Sequence, residues 1–148
     1  MKTIILIACA ALLAMSQAPA QTVRTDPGVH FSAKMRLSPR RMRAGGSGKV
    51  TISLSPGKNM HINAVPAPEF LPDSGCAVMI ASRVRIGRTT NGRVEPNFPI
   101  RTEFSVPRGT HPGTYLVGGT LRCYVCSDSE GWGAAEQRHV AGRITVTR

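Results

Sequence analysis

Thr114-Tyr115-Leu116-Val117-Gly118-Gly119-Thr120-Leu121-Arg122-Cys123-Tyr124-Val125 is the stretch that decides the fold. Read with a period of two, it puts Tyr115, Val117, Gly119, Leu121, Cys123 and Val125 on one face. Leu116, Gly118, Thr120, Arg122 and Tyr124 take the other. Alternation over such a length marks a β-strand with one side against a core. In residues 29–37 the same pattern sets Val29, Phe31, Ala33, Met35 and Leu37 against His30, Ser32, Lys34 and Arg36. Val50, Ile52 and Leu54 repeat it between a glycine-rich turn and Ser55-Pro56-Gly57. Further strands are predicted over 60–65, 77–86, 100–106 and 139–147. Asn91-Gly92 predicts a tight hairpin, while Pro66, Pro68 and Pro72 keep the chain extended and exclude a helix. About seven or eight short strands with regular turn signals predict an all-β, immunoglobulin-like two-sheet sandwich.

The N-terminus reads differently. Lys2 precedes an apolar run over residues 3–15, then Ser16-Gln17 and Ala18-Pro19-Ala20, with small residues where signal peptidase reads. This predicts a signal peptide over residues 1–20, cleaved between Ala20 and Gln21. The run is shorter than the roughly 20 residues a spanning helix requires. Cys9 lies inside it, too early for a lipoprotein site. The mature chain, residues 21–148, is long enough for one domain with a core of its own and carries no further membrane-spanning stretch. The expected location is periplasmic or otherwise extracytoplasmic.

The chain has 19 Lys and Arg against 8 Asp and Glu, a formal charge of +11. Such a surface attracts anionic lipid, envelope polysaccharide or an acidic partner, although scattered basic residues are most simply a solvated face. The densest group, Arg40, Arg41 and Arg43, precedes the glycine-rich Ala44-Gly45-Gly46-Ser47-Gly48. Few aromatics accompany the charge, so the stacking platforms of a single-strand nucleic-acid binder are missing. No nucleic-acid partner is expected.

Removal of the signal leaves Cys76, Cys123 and Cys126. Export favours disulfides, but an odd number leaves one sulfur over. Cys123-Tyr124-Val125-Cys126 has redox C-x-x-C spacing, yet it ends a strand, whereas that motif normally opens a helix whose dipole acidifies a thiol. An unbroken strand holds the two Cα atoms about 10 Å apart, with side chains on opposite faces. A disulfide tolerates about 7 Å. The pair can therefore close only if the chain turns at Tyr124-Val125. If the strand persists, Cys123 faces the core, Cys126 stands at the strand end, and Cys76 becomes the candidate partner for either. Cys126 precedes the polar loop Ser127-Asp128-Ser129-Glu130-Gly131-Trp132-Gly133, and such loops carry binding and catalytic residues. On this loop Trp132 is a recognition aromatic, a lid over Cys126 or an anchor to the core. Tyr124, between the cysteines, is a second candidate for the first two roles.

Pro56-Gly57-Lys58-Asn59-Met60-His61-Ile62-Asn63-Ala64 with the proline-rich stretch to Pro72, and Gly113-Thr114-Tyr115-Leu116 through Cys126-Ser127-Asp128, resemble the N-terminal domain of the thiol:disulfide interchange protein DsbD. The resemblance implies an immunoglobulin-like periplasmic domain that passes reducing equivalents between protein thiols, without a bound cofactor. Its partners would be thiol–disulfide exchange proteins, including a membrane electron-transfer protein. It makes Cys126 the first of the family's two active cysteines. The second is due near Trp132 or Gly133, where this chain has none, and Ala134-Ala135-Glu136 replaces the proline-rich tail. Either Cys123 or Cys76 substitutes, or Cys126 acts alone, or redox activity is gone. A lone Cys126 can form a mixed disulfide but cannot resolve it.

Other chemistries find little footing. His61, His111 and His139 with one C-x-x-C do not make the convergent set a metal needs, so no metal centre is expected. Gly-x-Ser-x-Gly, a phosphate loop and His-Glu-x-x-His are absent. Two readings stand: a thiol–disulfide interchange domain built on Cys126, and a non-catalytic immunoglobulin-like binding module of the cell envelope.

Overall fold

The computed structural model describes residues 30–148. The expected signal peptide, its cleavage point and Cys9 lie outside them. Among the described residues there is no helix, and none that could cross a membrane. The chain forms a two-sheet β-sandwich of the predicted immunoglobulin-like class.

The first sheet contains β1 (Phe31–Ser38), β3 (Ser47–Pro56), β9 (Ile100–Ser105) and β6 (Met79–Ile80), in that order and antiparallel throughout. The second centres on β10 (Gly113–Ser127) and β11 (Gly133–Thr147), paired along their whole length from Gly113↔Val146 to Cys126↔Gly133. The short β2 (Arg41–Arg43) runs parallel to the end of β11. On its other edge β10 receives β4 (Met60–Ile62) at Val125–Ser127 and β5 (Glu69–Pro72) at Gly119–Arg122. Separately, β7 (Thr89–Thr90) and β8 (Arg93–Val94) form the hairpin expected at Asn91-Gly92, with both turn residues at positive φ.

The alternation seen in the sequence builds the core. Phe31 and Leu37 of β1, Val50, Ile52 and Leu54 of β3, Ile100 and Phe104 of β9, and Val117, Leu121, Cys123 and Val125 of β10 are all buried between the sheets. β1 closes down on β11: Leu37 fills the space left open at Gly142, and Arg138 Nε donates to the Phe31 carbonyl at 3.2 Å. At the start of β10 the Tyr115 hydroxyl donates to the His111 carbonyl at 2.7 Å, fixing the corner where the chain enters the strand.

Three expectations need correction. The strand expected over 60–65 is regular only over Met60–Ile62. Only Met79–Ile80 of the strand expected over 77–86 is regular. Beyond it the Thr102 hydroxyl donates to the carbonyls of Ala81 and Arg83, opening a bulge that closes again at the Arg85↔Arg101 bridge. Conversely, β11 begins at Gly133 rather than His139, because pairing with β10 extends through residues of weak strand preference such as Ala134 and Ala135.

Gly119 has no room for a side chain. A Cβ there would lie 2.5 Å from the Phe70 ring and from the Leu71 carbonyl oxygen, both on β5. Gly119→Ala should therefore lower stability by about 1–3 kcal/mol through overpacking. Gly109→Ala, where a Cβ meets nothing within 4 Å, should change it by less than about 0.5 kcal/mol. Urea denaturation measures both.

Candidate functional site

The end of β10 carries the sequence-predicted residues, and its regularity decides how they are arranged. The strand continues without a turn through Tyr124-Val125. Cys123 consequently points into the core, 2% exposed, in the same inward row as Leu121 and Val125. Cys126, half-buried, faces outward beside Tyr124. The two sulfurs lie on opposite faces of one sheet, and both thiols are free.

Cys76 is not brought to either. It lies in the loop after β5, where Asp73 N donates to the Gly118 carbonyl and Thr110 Oγ1 reaches the Ala77 carbonyl at 3.5 Å. That loop packs at the end of the sandwich where β10 begins. Gly118 and Cys126 are eight residues apart on an extended strand, a span of roughly 27 Å. The partnership open to Cys76 in the sequence has no geometric basis.

The face around Cys126 is assembled from both neighbours of β10. His61 on β4 and Gly133 on β11 are its direct cross-strand partners. A Cβ on Gly133 would fall 2.9 Å from Cys126 Sγ and 2.8 Å from the Tyr124 ring, so the sulfur and the phenol share the space a side chain would need. Tyr124 is thus the aromatic beside Cys126. Trp132 turns elsewhere: its ring meets His30 edge-on, with centroids 4.7 Å apart, and its Nε1 donates to Glu130 at 2.8 Å. His30 in turn contacts Glu136, which also holds Arg138. Of the roles open to Trp132, anchoring the hairpin is the one its contacts describe.

Sequence reasoning missed the polar group next to the sulfur. Asp128 Oδ1 lies 2.9 Å from both Arg93 Nη2 and His61 Nδ1. The His61 contact is close but lacks the alignment of a hydrogen bond, leaving a buried Nδ1 without a directed partner. Asn63 joins the cluster through its backbone, donating to the Tyr124 carbonyl, and its side chain reaches the Cys126 thiol. Arg93 arrives from the β7–β8 hairpin, more than thirty positions before Cys126 in the chain; no local spacing signals it. Beside this group opens a cleft of about 420 Å³ lined by Met60, His61, Asn91, Arg93 and Glu95, among others.

The electrostatics do not activate either sulfur. Burial pushes the Cys123 thiol up to about 12, with the Glu136 charge adding to it. The Cys126 thiol is also raised, chiefly by burial and further by Asp128, against the opposing pull of Asn63 and Arg93. Both stay protonated at neutral pH, unlike the acidified thiols of exchange catalysts. Among the described residues no group of three or more metal-ligating side chains converges. His139 binds Asp73, at the start of the loop that carries Cys76, at 2.8 Å.

No family model and no curated protein matches the chain. Among solved structures it is similar to the third ScaB cohesin of R. flavefaciens, in complex with a group 1 dockerin. There the identity is 18% and the TM-score 0.43, covering 82% of this chain and 99% of that one. It is also similar to a non-cellulosomal cohesin from Archaeoglobus fulgidus, with 9% identity, TM-score 0.42, and coverage of 81% and 93%. A third is a structure from the aggregative adherence fimbriae of enteroaggregative Escherichia coli, with 14% identity, TM-score 0.37, and coverage of 79% and 99%. Similarity this distant assigns no function.

Thiol labelling of the folded protein at pH 7 should modify Cys126 and spare Cys123. Labelling of Cys126 should be slower than that of an unstructured cysteine peptide and accelerate as the pH rises past 9. Modification of Cys123 without unfolding would contradict the arrangement. A thiol whose pKa is higher folded than unfolded binds its proton more tightly when folded. Its stabilising contribution is therefore complete below the ordinary value of 9.0 and is lost as the pH climbs toward about 12. Urea melts between pH 8 and 11 should show a steeper decline for the wild type than for Cys123→Ala.

Proposed function

We propose that this chain is an exported, non-catalytic immunoglobulin-like binding module of the cell envelope, related in scaffold to the DsbD N-terminal domain but without that domain's redox couple. One observation carries the reading: β10 runs straight past Cys126. A two-electron thiol couple needs two sulfurs that can meet within about 7 Å between Cα atoms. Cys123 lies behind the sheet and Cys76 belongs to the other end of the sandwich. The hairpin that should bring a second cysteine instead brings Gly133, whose missing side chain leaves room for the Tyr124 ring.

A narrower thiol role has one feature in its favour. Cys126 is partly exposed beside a cleft, with Arg93 and Asn63 both favouring its thiolate. Attack on a partner's disulfide would join Cys126 Sγ to one partner sulfur and release the other as a thiolate. Without a resolving sulfur the reaction stops there. Such a domain captures a partner once and does not turn over.

Equilibration of the mature protein in glutathione buffers, read by mass spectrometry after alkylation, separates these readings from a relay. Glutathione adducts on single cysteines, with no internal disulfide, are the expected result. An internal disulfide with one defined reduction potential, abolished in Cys126→Ser, would reject the binding-module reading.

A further inference from the structure

The outward face of the first sheet is populated by unpaired cations. Along β1 the exposed residues are Ser32, Lys34, Arg36 and Ser38; along β3, Ser47, Lys49, Ser53 and Ser55; along β9, Arg101, Glu103 and Ser105. Pairing register sets Arg36 opposite Thr51, Thr51 opposite Arg101, and Arg101 opposite Arg85. Three guanidinium groups thus lie in one row across the sheet. At about 4.8 Å between strands the row spans roughly 15 Å. At its end is a cleft of about 530 Å³ lined by Lys49, Arg83, Arg85, Arg101, Thr102 and Glu103, among others.

The backbone beneath the cleft is held rigidly. Arg85 and Arg101 exchange both N–H···O bonds, at 2.7 and 2.8 Å, and the Thr102 hydroxyl ties down the carbonyls of Ala81 and Arg83. Direct opposition of two arginines across a strand pair is itself unfavourable. Among the described residues, none of Lys34, Arg36, Lys49, Arg83, Arg85 or Arg101 forms an ion pair, and neither does Glu103. Four acids are engaged elsewhere, as Glu69–Arg122, Asp73–His139, Asp128–Arg93 and Glu136–Arg138, and on this face Glu103 stands opposite Lys49 across the β3–β9 pair without closing an ion pair. Among the described residues the second sheet also has cations without ion pairs, Arg41, Arg43 and Arg143, but the row across the first sheet is the one that converges on a cleft.

We propose that this face binds an acidic polysaccharide, with one carboxylate or sulfate seated among Arg83, Arg85, Arg101 and Lys49 and the chain continuing across the sheet toward Arg36 and Lys34. Guanidinium forks pair with oxyanions through two parallel hydrogen bonds, and a row of them fits an acid group repeated along a chain. The interleaved hydroxyls of Ser38, Thr51 and Ser53 can exchange hydrogen bonds with sugar hydroxyls. The cleft lining contains no aromatic ring on which bases could stack. The face lacks the broad apolar surface by which a peripheral protein enters a lipid interface. The inference supplies a ligand class for the binding-module reading and rests on it, although it uses the sheet opposite Cys126.

The test is calorimetric titration of the mature protein with alginate, a polyuronate, and with a neutral glucan of similar length, at two salt concentrations. Alginate should bind with an affinity that falls as salt rises, and the glucan should not bind. Arg85→Gln/Arg101→Gln should weaken alginate binding by about tenfold or more, the loss of one to two charge-assisted hydrogen bonds. Glu103→Gln should strengthen it. Arg40→Gln/Arg143→Gln, which removes the same charge elsewhere, and Cys126→Ser should leave it within about twofold. Equal weakening in both double variants would reduce the effect to overall charge and overturn the site. Tighter binding to phosphatidylglycerol vesicles or single-stranded DNA than to alginate would overturn the ligand class. Failure of alginate to bind while glutathione equilibration still shows no couple removes the ligand but not the module. A reversible couple removes the module itself.

Discussion

The ladder between β10 and β11 is the constraint on which everything else rests. It pairs fourteen successive residues of each strand, from Gly113↔Val146 to Cys126↔Gly133, and it gives β10 two roles at once. Inward, Val117, Leu121, Cys123 and Val125 supply a continuous row of the core. Along its free edge, β4 and β5 dock on separate sections of the same strand. A turn at Tyr124-Val125 would pull Val125 out of the core and strand Ile62 opposite it. The regular strand is retained, and the price is the C-x-x-C pair: its sulfurs sit on opposite faces.

That one geometric fact reorganises the chemistry around it. Cys123 becomes a small apolar filler whose ionisation is suppressed by burial. Cys126 is left among Tyr124, Asn63, His61, Arg93 and Asp128, a polar pocket at the mouth of the sandwich in which the sulfur remains a protonated thiol near neutrality. Trp132, which the sequence left open as a recognition aromatic, a lid or an anchor, packs on His30 and holds the hairpin to the body of the protein. The charges divide in a complementary way. Glu69, Asp73, Asp128 and Glu136 each meet a basic partner, while the β1–β3–β9 face sets one acid, Glu103 opposite Lys49, among Lys34, Arg36, Arg85 and Arg101.

Much of the fold was legible because half-buried strands have a period of two, and only a sequence that alternates can occupy them. Residues 29–37, 50–54, 100–106 and 114–125 all carried that pattern and all lie in strands, apart from Val29, which is outside the described residues, His30, just before β1, and Val106, a buried residue just past β9. Segments decided by a neighbour were not legible. Ala134 to Arg138 show little strand preference, yet they pair because β10 extends beside them. Arg41–Arg43 looked like a basic run before a loop, but it has an edge of β11 to join. Residues 81–85 alternate acceptably but bulge, because a hydroxyl on Thr102 takes the carbonyls that a ladder would have used.

The candidate site divides along the same line. The sequence by itself determined the sandwich and the outward position of Cys126 once the strand is granted, since each follows from residue type and a spacing of one or two. Only the tertiary structure decided that the strand does not turn, that Cys76 lies at the opposite end, that Arg93 and Asp128 meet beside the sulfur, and that Arg36, Arg101 and Arg85 form one row. Those are relations between strands distant in the chain. They depend on which edges find each other in space, and pairing register is not written in any single strand.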